Sequence, residues 1–316
     1  MEDRTLYMEI MERVIELRRT LHSYPELAGQ EIETARRISE FFAPLQPDVT
    51  IEHLGGSGLA FVFGKAHGPT LLLRCEMDAL PIEEQLKLPY RSTRAGVSHK
   101  CGHDGHMAIL AAVGVTLSEH RPSSGRVVLL YQPAEENGAG AAAVLRDSRF
   151  DAIKPDFAFA LHNVPGFPLG QIIIRPGAFA CASRGMSVTL HGQTAHAAQP
   201  DTGVSPALAV CQIIHGLADF PEYIVPIDET AFATVVGATL GEKAFGTAPG
   251  NAEVWATLRS ETNETMTGLI DFAQQLVRET AERHRLEHSI EYEDVFDATV
   301  NSQRAVDLIL EVAGDL

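Results

Sequence analysis

The sequence has few cysteines and no long apolar run, and each absence excludes a class of protein. Its four cysteines are widely spaced and form no C-x-x-C pair, namely Cys75, Cys101, Cys181 and Cys211. A disulfide scaffold is therefore excluded, and we expect a reduced, cytoplasmic protein. No apolar stretch approaches the roughly 18 residues that span a membrane, and the charged N-terminus carries no secretion signal. We therefore expect no membrane partner.

Basic residues are also scarce. Lys and Arg number 25 against 42 Asp and Glu, which gives a formal net charge of −17 over 316 residues. Without a Lys/Arg patch, the chain is not expected to bind nucleic acid, because phosphate recognition requires positive charge. Apolar residues make up 45% and charged residues 21%, as in an ordinary globular protein. The length allows two domains, each with its own core.

The first half alternates helical and strand-like segments, which is typical of an α/β domain. Helical spacing covers residues 5–22, 31–43 and 104–120. Between these segments lie short apolar runs that end in polar loops, as buried strands do. The runs are GLAFVFG, TLLLRCEMDALP and GRVVLLYQPAEE. Open α/β sheets bind ligands in the loops that follow their strands, so a site is expected there.

A change of composition near residue 180 predicts a second domain. Its expected elements are a strand (185–191), a helix (205–219), two strands (230–240, 252–260), a helix (264–284) and a strand (286–294). This βαββαβ order is the ferredoxin-like split motif. We predict a catalytic domain of residues 1–180 and 295–316, with a central sheet flanked by helices. The inserted ferredoxin-like domain would cover residues 181–294, and the tail from Asp297 would form one more helix.

The densest group of reactive side chains is the stretch CGHDGH, directly before the third predicted helix. Cys101 and His103 form a C-x-H pair, and their thiolate and imidazole suit zinc or a similar transition metal. Asp104 and His106 follow, and either could orient a liganding imidazole. A buried, hydrogen-bonded histidine cluster would explain the pattern about as well.

Three more polar residues follow predicted strands. Glu135 and Glu136 come after VVLLYQ, so that one could bind a metal while the other faces a water. An acidic first turn of a helix is the alternative. His162 ends FAFALH, where a lone histidine is usually only a surface residue. Like Cys101 and His103, these residues lie at the polar end of an apolar segment. The sequence therefore favours one common metal site.

The predicted second domain contributes two candidates. His196 lies among small residues in HGQTAHAAQP and could donate to an oxyanion, or it is simply a turn histidine. Arg259 ends the strand AEVWATLRS and could bind a carboxylate with its two-pronged guanidinium. Most arginines in such a place are only solvated.

Taken together, seven ordered motifs make the chain resemble a family of metal-dependent amidohydrolases and peptidases. That family includes hippurate hydrolase, N-acyl-amino-acid amidohydrolases, aminoacylases and auxin-conjugate hydrolases. The motifs are LRRTLHSYPELAGQEIETA, EMDALPIEE, CGHDGHMAILAA, QPAEENGAGA, ALHNVPGFPLG, HGQTAHAAQP and the segment through Arg259. The resemblance implies hydrolysis of the amide bond of N-acyl amino acids or similar small conjugates. It also implies a homodimer in which the inserted domain serves as a lid and for dimerisation.

The resemblance further implies a role for each candidate at the metal site. Cys101, His103, Glu136 and His162 correspond to ligands of two divalent metal ions, with Cys101 shared between them. Zinc or manganese is expected, and cobalt or nickel would also fit. Glu135 matches the general base, which takes a proton from the attacking water and delivers it to the leaving amine.

Outside the metal ligands, the resemblance implies three further roles. His196 matches a lid histidine that reaches the partner subunit's site and stabilises the oxyanion, in contact with the substrate. Arg259 matches a clamp for the substrate carboxylate, and Asp78 a residue that supports the ligands rather than binding metal. Two departures stand out, because residues 246–249 replace the Asn-Val-Ile-Pro of many relatives and Glu76 replaces an Asp.

The family usually continues for several tens of residues beyond Leu316, and that part supplies a further histidine ligand. We therefore expect this chain to lack the fifth ligand. Two alternatives to an N-acyl-amino-acid amidohydrolase follow. One is a catalytically silent metal- or ligand-binding relative. The other is a dipeptide hydrolase that keeps the same machinery.

Overall fold

The computed structural model describes residues 2–65, 67–219 and 229–314, which divide into two compact units. The first unit is Met1–Gln171 and the second is Ile172–Leu316. The expected return of residues 295–316 to the catalytic domain stays a prediction. Among the described residues, no helix combines the length and the apolar character that a membrane span requires.

The first unit is a mixed sheet with flanking helices. Its elements are α1 (Glu2–Ser23), α2 (Ile32–Phe42), β1 (Val49–Leu54), β2 (Gly58–Gly64), β3 (Thr70–Glu76), α3 (His103–Glu119), β4 (Arg126–Gln132), α4 (Ala139–Arg146) and β5 (Phe157–Ala160). The strand order is β1–β2–β4–β3–β5, in which β3 runs parallel to β4 and β5 and the other pairs are antiparallel. The α/β class is confirmed, whereas β1 and α4 were not predicted.

Apolar side chains cover both faces of this sheet. On one face, Phe42 of α2 stacks on Phe61 of β2 at 4.0 Å between ring centroids, and Tyr131 of β4 packs edge-on against both rings. Helices α1 and α3 complete that core, while Val144 of α4 and Ile153 pack on the opposite face. Burial on both faces explains why these strands read as continuous apolar runs.

Parallel pairing decides where the polar loops lie. Because β3, β4 and β5 are parallel neighbours, their carboxyl ends meet at one edge of the sheet. The segments that follow these strands therefore begin side by side, and α3 starts at the same edge with His103. The edge brings together residues that are far apart in the sequence, such as Cys101 and His162, which are separated by 61 positions.

The second unit contains the predicted ferredoxin-like motif. Its elements are β6 (Gly177–Ala180), β7 (Ala182–His191), β8 (Ala195–His196), α5 (Ala207–Ala218), β9 (Ala231–Leu240), β10 (Thr247–Ala248), β11 (Asn251–Ser260), α6 (Asn263–His284), β12 (Glu287–Phe296), β13 (Thr299–Asn301) and α7 (Gln303–Gly314). The four long strands form an antiparallel sheet in the order β12–β7–β11–β9. Counted within the motif this order is 4-1-3-2, which confirms the βαββαβ prediction.

Two short strand pairs accompany this sheet, β8 with β10 and β6 with β13. The helix predicted from Asp297 begins only at Gln303, because Thr299–Asn301 first pair with β6. Helices α5 and α6 pack on one face of the four-stranded sheet and enclose its apolar core. No residue of this core is shared with the cores of the first unit, within the described ranges.

Candidate metal centre

Three segments of the first unit bring potential metal ligands together. Ligand atoms of Cys101, His103 and His162 lie within 4.8 Å of one another, and so do those of His103, Glu135 and Glu136. The buried imidazole of His103 belongs to both groups. The candidates that the sequence placed in one common site are therefore neighbours.

Gly102 allows Cys101 and His103 to reach the same point from a tight turn. Its φ is +97°, a left-handed conformation that glycine adopts without steric cost. A Cβ at this position would also lie 2.5 Å from the Oδ1 atom of Asn163. Helix α3 begins with the next residue, which fixes the direction of the His103 side chain.

The ring of His103 is oriented by the segment after β3. Its Nδ1 donates to the backbone carbonyl of Asp78 at 2.8 Å, so that Nε2 points to the two glutamates. The distance from Nε2 to a carboxylate oxygen is 3.7 Å for both Glu135 and Glu136, which is too long for a hydrogen bond. Nε2 and Glu136 Oε1 are both buried without a hydrogen-bond partner. Buried polar atoms are rarely left so, and a cation between them would satisfy both.

Cys101 and His162 form the more exposed side of the site. Cys101 Sγ lies 3.2 Å from His162 Nε2, while His162 Nδ1 donates to the Asn163 carbonyl at 2.8 Å. Contact with His103 and His162 lowers the pKa of the Cys101 thiol, and contact with Cys101 raises the pKa of His162 to about 9. A thiolate is the form of cysteine that binds metals.

Charge and burial also act on the residues around His103. Burial opposes its charged form, but hydrogen bonds with Asp78 and Cys101 raise the pKa of His103 to about 11. For Glu135, burial raises the carboxyl pKa, and the positive charge of His103 only partly offsets this. The donor set of thiolate, imidazoles and carboxylates suits a divalent transition metal, so the residues present fit such an ion.

A second layer of hydrogen bonds supports these candidate ligands. His106 Nδ1 donates to Glu76 Oε2 at 2.8 Å, and its Nε2 lies 2.5 Å from Asn163 Oδ1. Burial opposes ionisation of Glu76, yet the hydrogen bond from His106 and the positive charge of Arg74 lower its pKa to about 2. Both nitrogens of His106 are thus engaged, in keeping with a supporting role rather than ligation.

Comparison with known proteins establishes the family. The profile of peptidase family M20/M25/M40 matches residues 72–316. The chain belongs to this family. It is 35% identical to an N-acetyl-L-cysteine deacetylase of Bacillus subtilis over 80% of its own length and 60% of that relative's length. It is 30% identical to the hippurate hydrolase of Campylobacter jejuni, over 95% of this chain and 78% of that one.

A solved structure agrees with the family and the fold. The Bacillus subtilis YXEP protein, a dinuclear metal-binding peptidase of the M20 family, superimposes with a TM-score of 0.79 at 25% sequence identity. The match covers 98% of this chain and 80% of that chain. The family resemblance inferred from seven sequence motifs is confirmed.

In this M20 chain, sequence reasoning missed residues of α1 that contact Asp104, the residue directly after His103. His22 of α1 contacts Asp104 Oδ2 at 2.9 Å through Nδ1 and Glu84 Oε1 at 3.1 Å through Nε2. Arg18 adds a contact to Asp104 at 3.0 Å. Asp104 was one of two residues that could have oriented a liganding imidazole, and its carboxylate binds His22 and Arg18. Sequence separations of 82 and 86 residues gave no signal for these pairs.

The remaining two candidates of this M20 chain belong to the second unit. His196 lies in β8, is exposed, and accepts a hydrogen bond from the Ala198 N–H through Nδ1 at 3.1 Å. Arg259 lies near the end of β11, opposite Ser183 of β7 and Phe232 of β9, and is also exposed. Their expected roles at the substrate stay predictions.

Proposed function

We propose that this chain is a metal-dependent amidohydrolase acting on N-acyl amino acids or similar small amide conjugates. The observation that carries the proposal is the pair of unpartnered buried atoms, His103 Nε2 and Glu136 Oε1, which face each other across 3.7 Å beside the Cys101 thiol. Membership of a hydrolase family supports the reaction type. The deacetylase and hippurate hydrolase among the relatives support the substrate class.

In this proposal Cys101, His103, Glu136 and His162 would hold two divalent ions. Zinc or manganese is favoured, and cobalt or nickel would suit the same donors. Bound ions of this kind supply Lewis acidity at a carbonyl and lower the pKa of water. The Asp78 carbonyl and the Asn163 carbonyl keep the two liganding imidazoles in the tautomer that exposes Nε2.

Glu135 would move the proton. Its carboxyl pKa is raised by burial, which makes it a better proton acceptor than an ordinary glutamate. It would take the proton of the attacking water and deliver it to the amine as the amide C–N bond breaks. Both carboxylates have an oxygen 3.7 Å from His103 Nε2, and we assign the ligand role to Glu136 because its Oε1 is buried without a hydrogen-bond partner.

For the second unit we propose the roles that the sequence suggested. His196 would donate to the oxyanion, and Arg259 would bind the carboxylate of the substrate's amino acid. A homodimer would pair two copies through β9, because this edge strand contains no charged residue, whereas the opposite edge strand β12 carries four acidic ones. Charged edge strands resist such pairing. A reducing cytoplasm would keep the Cys101 thiol available.

Metal content and turnover of the purified chain test the proposal. We expect close to two metal ions per chain by elemental mass spectrometry, and loss of metal in Cys101→Ser. Hippurate and N-acetyl-L-cysteine are the first substrates, with a dipeptide for comparison. Glu135→Gln should abolish turnover while metal stays bound, whereas Glu119→Gln, an exposed glutamate of α3, should change neither.

Each outcome separates the alternatives. Metal without turnover of any substrate would identify a silent metal-binding relative. Faster hydrolysis of the dipeptide than of both acyl amino acids would identify a dipeptide hydrolase. If Glu135→Gln kept near-normal activity, the assignment of the base would be wrong.

A further inference from the structure

The motif LHSYPELAGQE near the N-terminus contains a buried carboxylate far from any metal ligand in sequence. Glu31 is 0% exposed, at the start of α2. Its Oε1 accepts from the backbone N–H of Ala134 at 2.8 Å and from that of Gly29 at 3.0 Å. Its Oε2 accepts from the Ser57 hydroxyl at 2.8 Å. The side chain therefore links the N-terminal segment to the turn after β4.

That turn is held in an unfavourable backbone conformation. Ala134, the residue before Glu135, has a φ of +46°, which is costly for a residue with a Cβ. Its carbonyl accepts from the Gly140 N–H at 2.9 Å, and a Cβ on Gly140 would overlap the Pro133 carbonyl. A conformation of this kind persists only where surrounding contacts enforce it.

Two buried carboxylates accept backbone hydrogen bonds from this turn, one on each side of Glu135. Asp78 Oδ2 accepts from the Glu136 N–H at 2.9 Å, so the residue proposed as metal ligand has its own anchor. Glu31 holds the Ala134 N–H on the other side of Glu135. Loss of the Glu31 contact would therefore release the Ala134 peptide group, which directly precedes Glu135, while Asp78 keeps its backbone contacts with Glu135 and Glu136.

We propose that Glu31 is a positioning residue, whose length fixes the Ala134 turn and thereby aims Glu135. This rests on the proposed function only in that Glu135 is the base. Positioning by length has a distinct signature. Glutamine keeps an oxygen for the Ala134 and Gly29 N–H groups, and its amide can donate to the Ser57 oxygen. Aspartate keeps the charge but draws the carboxylate back by about one C–C bond, and such displacements cost about 100-fold in rate.

The test compares Glu31→Asp with Glu31→Gln. We expect kcat of Glu31→Asp on the better of hippurate and N-acetyl-L-cysteine to fall roughly 10- to 100-fold, with KM and bound metal unchanged. Glu31→Gln should stay within about threefold of the parent chain, since it keeps these contacts. Glu33→Asp, the same shortening at a glutamate of α2 whose side chain is 45% exposed, is the matched control and should have no effect. Amide hydrogen exchange of Ala134 should quicken in Glu31→Asp alone.

The outcomes are decisive whether or not the chain turns over these substrates. A larger loss in Glu31→Gln than in Glu31→Asp would show that charge matters and would overturn positioning by length. Equal behaviour of both variants in kcat and in Ala134 exchange would also overturn it. If Glu31→Asp did not fold, the Glu31→Gln result alone would decide. Full activity of Glu135→Gln would instead overturn the proposed base and leave the exchange result to judge the Glu31 contact.

Discussion

His22 lies between two carboxylates, an unusual setting for a side chain only 8% exposed. The hydrogen bond with Asp104 raises its pKa, burial opposes this, and Glu84 raises it further. The ring therefore keeps its proton to a higher pH in the folded chain than in the unfolded chain. Arg18 and Lys100 provide further positive charge, Arg18 at Asp104 and Lys100 at Glu84. The network holds the residues next to His103 and Cys101.

We expect His22→Gln to lower the free energy of unfolding by about 3 kcal/mol, near the lower end for unpairing a buried ion pair. Because the folded-state pKa is raised, the His22 contribution is fully present below the unfolded pKa of about 6.5 and is lost as pH rises through the folded value. Urea titrations of metal-free protein from about pH 6 upward would show the difference between parent and variant shrinking with pH. A constant difference would contradict a raised pKa of His22.

The candidate metal ligands could be named from the sequence, whereas the residues that support them could not. The four candidates lie in local motifs at the polar ends of apolar runs, and such motifs can be recognised in the sequence alone. They are Cys101, His103, Glu136 and His162. Glu31 and His22 act on residues 103 and 82 positions away. Only the three-dimensional packing shows which buried carboxylate meets which N–H.

Among the elements, the start of α3 restricts the choice of residue most strongly, because position 102 requires glycine. Gly102 has a positive φ, and its missing side chain leaves room for the Asn163 amide. Gly105, three residues later in the helix, has no neighbour within 4 Å of an added Cβ. Two glycines of one segment therefore serve different purposes.

We expect Gly102→Ala to destabilise the chain by about 1–3 kcal/mol, because it combines strain with a clash against Asn163. Metal affinity should fall by roughly 10- to 100-fold, as when supporting contacts of a metal site are lost. Gly105→Ala is the control and should raise stability by about 0.5–1 kcal/mol through helix propensity. Thermal unfolding and titration with manganese measure both effects. Equal behaviour of the two variants would contradict the role assigned to Gly102.

The long helices and most long strands were predictable, since apolar runs and helical periodicity mark buried strands and amphipathic helices, whereas α4 was not predicted. The short strands β8, β10 and β13 were not, because two or three residues carry no periodic signal. Strand β1 was missed for a related reason. Five of its six residues, Val49–His53, are at least partly exposed, so it lacks an apolar run.

At the scale of the whole molecule, the two units have separate cores, and each contains a feature that reports on its own unfolding. The metal candidates all lie in the first unit, whereas the single tryptophan, Trp255, lies in β11 of the second. Tryptophan fluorescence therefore reports on the second core alone, while circular dichroism reports on both.

Removal of metal should consequently separate the two signals. Metal at 100 times its dissociation constant adds about 2.7 kcal/mol to the stability of the unit that binds it. Chelation should lower the midpoint seen by circular dichroism by roughly 5–10 °C and leave the fluorescence midpoint in place. Movement of both midpoints together would show that the units unfold as one.

The parallel pairing of β3 with β4 and β5 also has a kinetic consequence. Parallel neighbours need long crossover connections, and contacts between distant segments form late in folding. An ion can meet the Cys101, Glu136 and His162 side chains together only after this pairing is complete. Its stabilisation therefore acts on the rate of unfolding and leaves the rate of folding unchanged. A bound ion would therefore lengthen the lifetime of the native state and would not make the chain fold faster.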